Sequence, residues 1–396
     1  MTTNVAVEAP TGAPPDLAGG YLAECRRLVL SEIERIVPRK TSFGSVLYEL
    51  MLDYPMREAK TLRPSLCIAA CRALGGSLEG VLPSAAVLEL YHNAFLIHDD
   101  VEDESLLRRG APTLHDRYGI PIAINVGDAM LALALAPLLD NTRLLGLGKA
   151  LRILAAVGEM ARHTAEGQAL ELSWIRAATW QIVDADYLRM VHKKTTWYSF
   201  LTPVTIGAIV ANANPAQLRG LRLFATALGA AFQIQDDVLN LAANPADYGK
   251  DILGDLWEGK HTLVLLHALR SATPLERARA HSILRLPRRR PSEHGGLEEL
   301  VRQLEGSGDL SASGRCALLA HLSSTGAARA GKSEPDIEYL MGLIARYDSL
   351  GYARAVARRH ALRARRSLQA VVGLRRETTH HQFLEGLLDF VVSRDH

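Results

Sequence analysis

Runs that alternate apolar and polar residues, the pattern of half-buried strands, are almost absent from this chain of 396 residues, which argues against a sheet-based architecture. Cysteine is scarce. Cys25, Cys67, Cys71 and Cys316 are scattered, too few to form a disulfide framework. Cys67 and Cys71 share an apolar helical stretch and read as core packing rather than a metal pair. A reduced, cytoplasmic chain is the expectation. Apolar runs are short: the longest, Ala129 to Leu139, is closed by Asp140 and falls well below the roughly 20 residues of a membrane span. The chain is therefore expected not to span a membrane. Neither sign of charge dominates, since 45 Lys plus Arg against 43 Asp plus Glu leave a net +2. That balance argues against a protein that coats nucleic acid, so any charge-based function must be local.

What the chain does have is apolar residues, 48% of the total, recurring at three- and four-residue spacing between Pro and Gly breaks. That pattern is all-α. It predicts helices over Gly20–Val37, Arg63–Leu74, Pro83–Glu104, Ile122–Asp140, Gly148–Trp174, Ala185–Thr196, Pro215–Leu241 and Lys260–Arg270. Residues 1–16 are small, polar and Pro-rich, with no basic or long apolar leader pattern, and read as a disordered lead-in. Residues 17–396 read as one large helical domain. From about 287 to 334 the composition shifts to Arg, Gly, Ser and Pro, as in a flexible surface insertion. Beyond it a helical pattern carries Arg354, Arg358, Arg359, Arg363, Arg365 and Arg366; a solvated face is the plain reading, and a phosphate- or partner-facing role the other.

Two acidic clusters stand out. In Asp99-Asp100-Val101-Glu102-Asp103, helical periodicity places Asp99 and Asp103 one turn apart on one face and Asp100 about 100 degrees round from Asp99. Alone, this reads equally as an acidic helix end or as a site for a hard cation such as Mg²⁺, whose shell is completed by water and phosphate oxygens. The second, Gln233-Ile234-Gln235-Asp236-Asp237, sits in an otherwise apolar helix, where adjacent carboxylates are costly to bury without a cation. Cations flank both: Lys60 and Arg63 before the first, Arg108 and Arg109 after it, Lys193 and Lys194 between, and Lys250 and Lys260 after the second. Carboxylates alternating with Lys and Arg suit the binding of two diphosphates.

At these residues the chain resembles the trans-isoprenyl diphosphate synthases, the polyprenyl synthetase family. The resemblance rests on His98-Asp99-Asp100-Val101-Glu102-Asp103, Arg108-Arg109-Gly110, Gly167-Gln168, Lys194-Thr195, Phe232-Gln233-Ile234-Gln235-Asp236-Asp237, Gly249-Lys250 and Gly259-Lys260. It implies a single large helical bundle of the isoprenoid synthase type with a central apolar cavity, a homodimer, and three Mg²⁺ ions with substrate bound. By the same resemblance Asp99 and Asp103 would hold Mg²⁺ with Asp100 in support, and Asp236 a further ion with Asp237 beside it. Arg108, Lys194 and Lys260 would contact an allylic diphosphate (dimethylallyl, geranyl or farnesyl), with Lys250 lining the same site. Lys60, Arg63, His92 and Arg109 would hold isopentenyl diphosphate, and Thr195 and Gln233 would face the carbocation. His92 lies two turns before Asp99 on nearly the same face, which fits that role better than plain core packing. Three departures from the family pattern are Glu58-Ala59 in place of two glycines, Asn240 in place of Asp, and Glu171 in place of Asp.

The implied reaction is head-to-tail prenyl transfer. In the family, the residues four and five before the first Asp cap the product; here they are Phe95 and Ala94, with Tyr91 a turn deeper. One aromatic and one small residue point to a C20 product, geranylgeranyl diphosphate, with C15 and C25 as rivals. A class I terpene cyclase and a non-catalytic subunit of a heteromeric synthase are the alternatives. Asp236-Asp237 with Lys60, Arg63 and Arg109 speak against the first, and two intact aspartate clusters against the second.

Overall fold

The computed structural model describes residues 16–38, 45–242, 253–287 and 331–393, with a few positions between 301 and 318. Expectations for Met1 to Pro15, Lys250, Cys316 and most of the insertion lie outside the described residues. Helices dominate, as the periodicity predicts: α1 (Asp16–Ile36), α2 (Ser45–Met56), α3 (Leu62–Ala73), α4 (Leu78–Glu102), α5 (Leu114–Tyr118), α6 (Ile120–Leu133), α7 (Leu135–Leu145), α8 (Leu147–Ala177) and α9 (Asp184–Val191). A π-helix over His192–Leu201 follows, then α10 (Thr202–Val210), α11 (Pro215–Ala242), α12 (Gly254–Glu258), α13 (Leu263–Ser271), α14 (Pro274–Leu284), α15 (Glu334–Arg346), α16 (Ser349–Gln369) and α17 (Thr379–Ser393).

Several boundaries differ from the expectation. Helix α4 starts before Pro83 because the Ser77 side chain accepts the Gly80 N–H at 3.1 Å and caps the helix there. The single helix expected over Ile122–Asp140 is two, joined at Ala134. The helix expected to continue to Thr196 widens at His192 into the π-helix, a rare form often found at functional positions. The only strands among the described residues, β1 (Leu107–Arg108) and β2 (Ala111–Pro112), pair antiparallel with Leu107 opposite Pro112 and Arg108 opposite Ala111. Arg109 and Gly110 between them have φ of 53° and 72°, the left-handed pair that a two-residue hairpin turn requires.

The chain divides into two compact units. One comprises the residues through Ala169, Leu188–Asp236 and those from Ala355; the other comprises Leu170–Tyr187 and Asp237–Arg354. In the first, α3 packs against α4, α10 and α17, and α4 against α1 and α6. Small residues on α3, Ala69, Ala70 and Ala73, are fully buried there with Cys67 and Cys71, and larger side chains such as Leu66, Leu88, Leu90 and Phe200 fill the remaining space. Each such Leu contributes about 2 kcal/mol of burial. In the second unit α15 packs on α12, α13 and α14, with capping boxes at Thr273/Glu276 and Ser333/Asp336 fixing two helix starts.

Two segments are long and apolar enough to cross a membrane, Leu78–Glu102 and Ile120–Leu145, and their most apolar windows are 78% and 39% buried within the protein. The first is a core helix. The second leaves Ile120, Ile122, Ile124, Leu135, Leu139 and Leu144 exposed.

Candidate active site

The first aspartate motif ends α4, and the two neighbours Asp99 and Asp100 meet different surroundings, as helical geometry demands. Asp100 is fully buried. Its Oδ2 accepts the Tyr54 hydroxyl at 2.6 Å, and its Oδ1 accepts Arg108 through Nε at 2.8 Å and also through Nη2. Burial works against the Arg108 charge, but the Asp100 carboxylate outweighs it and pushes the guanidinium's pKa up. Burial, and then the Asp100 charge, push the Tyr54 phenol up. Asp100 and Arg108 thus form a buried pair that ties the hairpin to α4. Arg57 fastens the same hairpin from the end of α2, donating to Arg108 O at 2.8 Å and Pro112 O at 2.8 Å.

Asp99 keeps 27% of its side chain exposed. Its Oδ1 lies 3.6 Å from Lys194 Nζ and accepts Gln168 Nε2 at 3.2 Å, while Arg108 Nη2 is 3.9 Å from Oδ2. Asp103, partly exposed, closes the helix one turn on, with its N–H on Asp99 O at 2.8 Å. Asp99 and Asp103 therefore lie on the same partly open face, and Asp100 does not.

Lys194 and Thr195 come from the π-helix, which lies close to two helices at positions without a Cβ. A Cβ on Gly167 of α8 would stand 2.3 Å from Lys194 N, and one on Gly229 of α11 would stand 2.8 Å from Thr196 Oγ1. On the α11 side Thr195 donates to Gln233 Oε1 at 2.8 Å, one turn before Asp236, which is half-buried.

The cations expected for the second substrate cluster near the start of α3. Arg63 reaches His92 Nε2 at 3.0 Å and donates to the Tyr198 hydroxyl at 2.9 Å. Arg109 donates to Tyr54 O at 2.8 Å, and Lys60 stands 4.9 Å above the Phe390 ring. Thr61, in the stretch where the family's glycines are replaced, adopts a left-handed φ of 48°. Glu89, 2% exposed on α4, has its pKa raised by burial, opposed by the charges of Arg63 and Arg109. The chain-length residues interlock: Phe95 meets Tyr91 edge-on at 5.9 Å and Tyr198 at 5.7 Å, whereas Ala94 is fully buried.

In the second unit, Asp237 is buried and accepts the Tyr187 hydroxyl at 2.7 Å. Burial and the Asp237 charge push the Tyr187 phenol well up, with Asp255 and Glu171 adding to it. Asn240 Oδ1 accepts the Asp255 N–H at 3.2 Å, and its backbone O accepts Leu253 N–H at 3.0 Å. Its amide oxygen is engaged in shaping the start of α12. Lys260 follows α12 and pairs with Glu258 at 2.7 Å.

Sequence reasoning missed Tyr54, Tyr187 and Tyr198, which have no local signal, and Gly229. Gly167 and Gln168 carry part of the family resemblance but no role of their own in the sequence. Among the described residues, no group of three or more His, Cys, Asp or Glu is drawn together tightly enough to hold a metal ion by itself. The chemistry of the donors nonetheless fits a hard divalent cation. Asp99, Asp103 and Asp236 are oxygen ligands left partly open, and such an ion takes one or two carboxylates and fills its shell with water and phosphate oxygens.

Residues 45–304 match the polyprenyl synthetase family model. A short chain isoprenyl diphosphate synthase of Methanocaldococcus jannaschii is 33% identical over 256 residues, 65% of this chain and 76% of that protein. The crystal structure of geranylgeranyl pyrophosphate synthetase from Pyrococcus horikoshii superposes with a TM-score of 0.76 at 25% identity, covering 96% of this chain and 98% of that one. A polyprenyl synthase from Caulobacter crescentus, complexed with calcium and isoprenyl diphosphate, gives 0.71 at 26% identity over 96% and 97% of the two chains. An all-α scaffold, two aspartate pairs and this similarity over most of the length have one reading: the chain belongs to the polyprenyl synthetase family and is a prenyltransferase of the isoprenyl diphosphate synthase kind.

Proposed function

We propose that residues 17–396 act as one Mg²⁺-dependent synthase domain, with 287–334 as an insertion, and that the domain condenses isopentenyl diphosphate with an allylic diphosphate to give geranylgeranyl diphosphate. The observation that carries this is the split within the first motif. Asp100 is spent on Tyr54 and Arg108, while Asp99 and Asp103 remain partly open, Asp99 beside Lys194. Asp99, Asp103 and Asp236 hold the metal, three ions with substrate bound, and the calcium and isoprenyl diphosphate held by the Caulobacter relative support a divalent ion in this role. When bound, the metal neutralises the departing diphosphate.

The chain's own residues do the rest. Lys194, Lys260 and Arg108 hold the allylic diphosphate, with Lys250 lining the same site. Arg63, His92, Arg109 and Lys60 hold isopentenyl diphosphate. The allylic C–O bond breaks with both electrons passing to the diphosphate oxygen. The isopentenyl double bond then supplies the electron pair of the new C–C bond, and a proton leaves to the diphosphate. Thr195, whose hydroxyl donates a hydrogen bond to Gln233 Oε1, turns its oxygen lone pairs to the cation. Phe95, braced by Tyr91 and Tyr198, blocks the tail, and the small Ala94 beside it favours C20 over C15 or C25.

The exposed Ile120 and Ile124 of α6 and Leu135 and Leu139 of α7 support a homodimer, because exposed large apolar side chains are covered at protein interfaces. The free, buried thiols of Cys25, Cys67 and Cys71 suit the cytoplasm. Purified protein, Mg²⁺, isopentenyl diphosphate and each allylic primer, with the products sized, test the activity. No elongation from any primer refutes the reading, and hydrocarbon release from a prenyl diphosphate favours a cyclase.

A further inference from the structure

Lys332 is 1% exposed, an unusual place for an ammonium group. Its Nζ donates to Trp257 O at 2.7 Å and to Leu286 O at 2.9 Å, and its backbone N donates to Pro287 O at 2.9 Å. The residue therefore clasps the chain on either side of the 288–331 stretch and reaches from there into α12. That helix is a single turn, and its last carbonyls have no partner further along the helix. Trp257 O is one of them, and the lysine supplies its donor. The turn then closes through Gly259 at φ 74°, whose N–H bonds Leu256 O at 3.3 Å, while the Lys260 N–H reaches back to Asp255 O at 2.8 Å. A Cβ added at Gly259 would lie 3.7 Å from Lys332 Nζ, so the ammonium sits directly behind the turn that carries Lys260.

Met or Leu would fill much of the same volume without the cost of desolvating a charge. What they would lack is the pair of charge-assisted hydrogen bonds, one to Leu286 O and one that fixes the Trp257 carbonyl and, through a one-residue left-handed turn, the direction in which Lys260 leaves the backbone. We propose that Lys332 is a positioning residue for Lys260: a buried strut at the root of the insertion that sets the Lys260 ammonium for the allylic diphosphate. The proposal rests on the reading that Lys260 binds that diphosphate.

The test separates the two substrates. KM for the allylic primer and KM for isopentenyl diphosphate are measured for wild type, Lys260→Ala, Lys332→Met, Lys332→Arg and the double variant Lys260→Ala/Lys332→Met. Lys332→Met should raise the allylic KM about tenfold, the scale of a modest misplacement of a binding group, with the isopentenyl KM little changed. Lys332→Arg, which donates to both carbonyls, should restore most of the affinity. The double variant should be no worse than Lys260→Ala alone, because the strut acts through the residue already removed. If Lys332→Met does not fold, Lys332→Gln, whose amide serves one carbonyl, carries the same comparison. Equal rises in both KM values, or effects that multiply in the double variant, overturn the proposal while leaving the Lys260 reading intact. An unchanged allylic KM in Lys260→Ala overturns both.

Discussion

Gly167→Ala puts the largest structural strain on the candidate site for the smallest chemical change. The added Cβ would meet Lys194 N at 2.3 Å, Lys194 Cα at 2.7 Å and Lys193 C at 2.8 Å. All three are backbone atoms, so no rotamer change relieves the contact. In an exposed helix the same substitution stabilises by up to about 1 kcal/mol, whereas forcing a methyl into packed backbone costs about 1–3 kcal/mol. The overlap here is severe, so the cost wins, and a net loss of about 1–2 kcal/mol lowers Tm by about 1–2 °C in a protein of this size. The larger effect is on catalysis. Relieving the contact moves the π-helix away from α8, carrying with it Lys194, 3.6 Å from Asp99, and Thr195, 2.8 Å from Gln233. A displacement of about 1 Å at such a site costs about 100-fold in rate. Gly158→Ala on the same helix is the control, since nothing lies within 4 Å of its added Cβ. Differential scanning calorimetry and initial rates on both variants decide the matter. If Gly167→Ala gains stability as Gly158→Ala should and retains its kcat, the close approach does not position Lys194.

Phe95→Ala should lengthen the product beyond that of the wild type, and an unchanged chain-length distribution on reversed-phase chromatography removes Phe95 as the cap. Asp100→Asn should lower stability by about 2–4 kcal/mol in urea titrations, because the Arg108 guanidinium is left buried without its counter-charge. Asp103→Asn should leave stability within about 1 kcal/mol but raise the Mg²⁺ needed for half-maximal rate; the reverse pattern refutes the division of roles. His261, stacked on Trp180 at 4.1 Å and donating to Thr179 O at 2.8 Å, has its pKa lowered to about 4 by burial. Above the unfolded-state value near 6.5 both states are neutral. As pH falls from there toward 4 the unfolded state takes up a proton that the folded state does not, so up to about 3 kcal/mol is lost on acidification. Urea unfolding at pH 7.5 and pH 5 should show that loss in wild type and a smaller one in His261→Gln; equal losses exclude it.

What was legible in the sequence was whatever is encoded within one or two helical turns. Asp99 and Asp103, or Gln233 and Asp236, are related by helix geometry alone, and their separation could be read directly. The all-α class followed from the same periodicity. The π-helix was not legible, because His192 to Leu201 carries an apolar pattern that a regular helix also satisfies. It lies against Gly167 and Gly229, two bare positions on separate helices that no local reading connects. Asn240 reads in the sequence only as a departure from the family's Asp, and the bond its side-chain oxygen accepts from the Asp255 N–H, 15 positions on, has no local signal.

The two acidic clusters share more than composition. Consecutive helical residues point about 100 degrees apart, so an Asp-Asp pair at a helix face cannot direct both carboxylates outward. Asp99 stays open and Asp100 is buried; Asp236 stays half-buried and Asp237 is buried. A buried carboxylate must be hydrogen-bonded, and both inward members meet the need in the same way. Tyr54, 46 positions before Asp100, donates to it at 2.6 Å, and Tyr187, 50 positions before Asp237, donates at 2.7 Å. The repeated tyrosine argues that the second aspartate of each pair is held for structure, as the anchor that sets the angle of the first. In that case Tyr54→Phe and Tyr187→Phe, each leaving a buried carboxylate short of one donor, should cost about 1–3 kcal/mol of stability and shift metal dependence only through the outward neighbour.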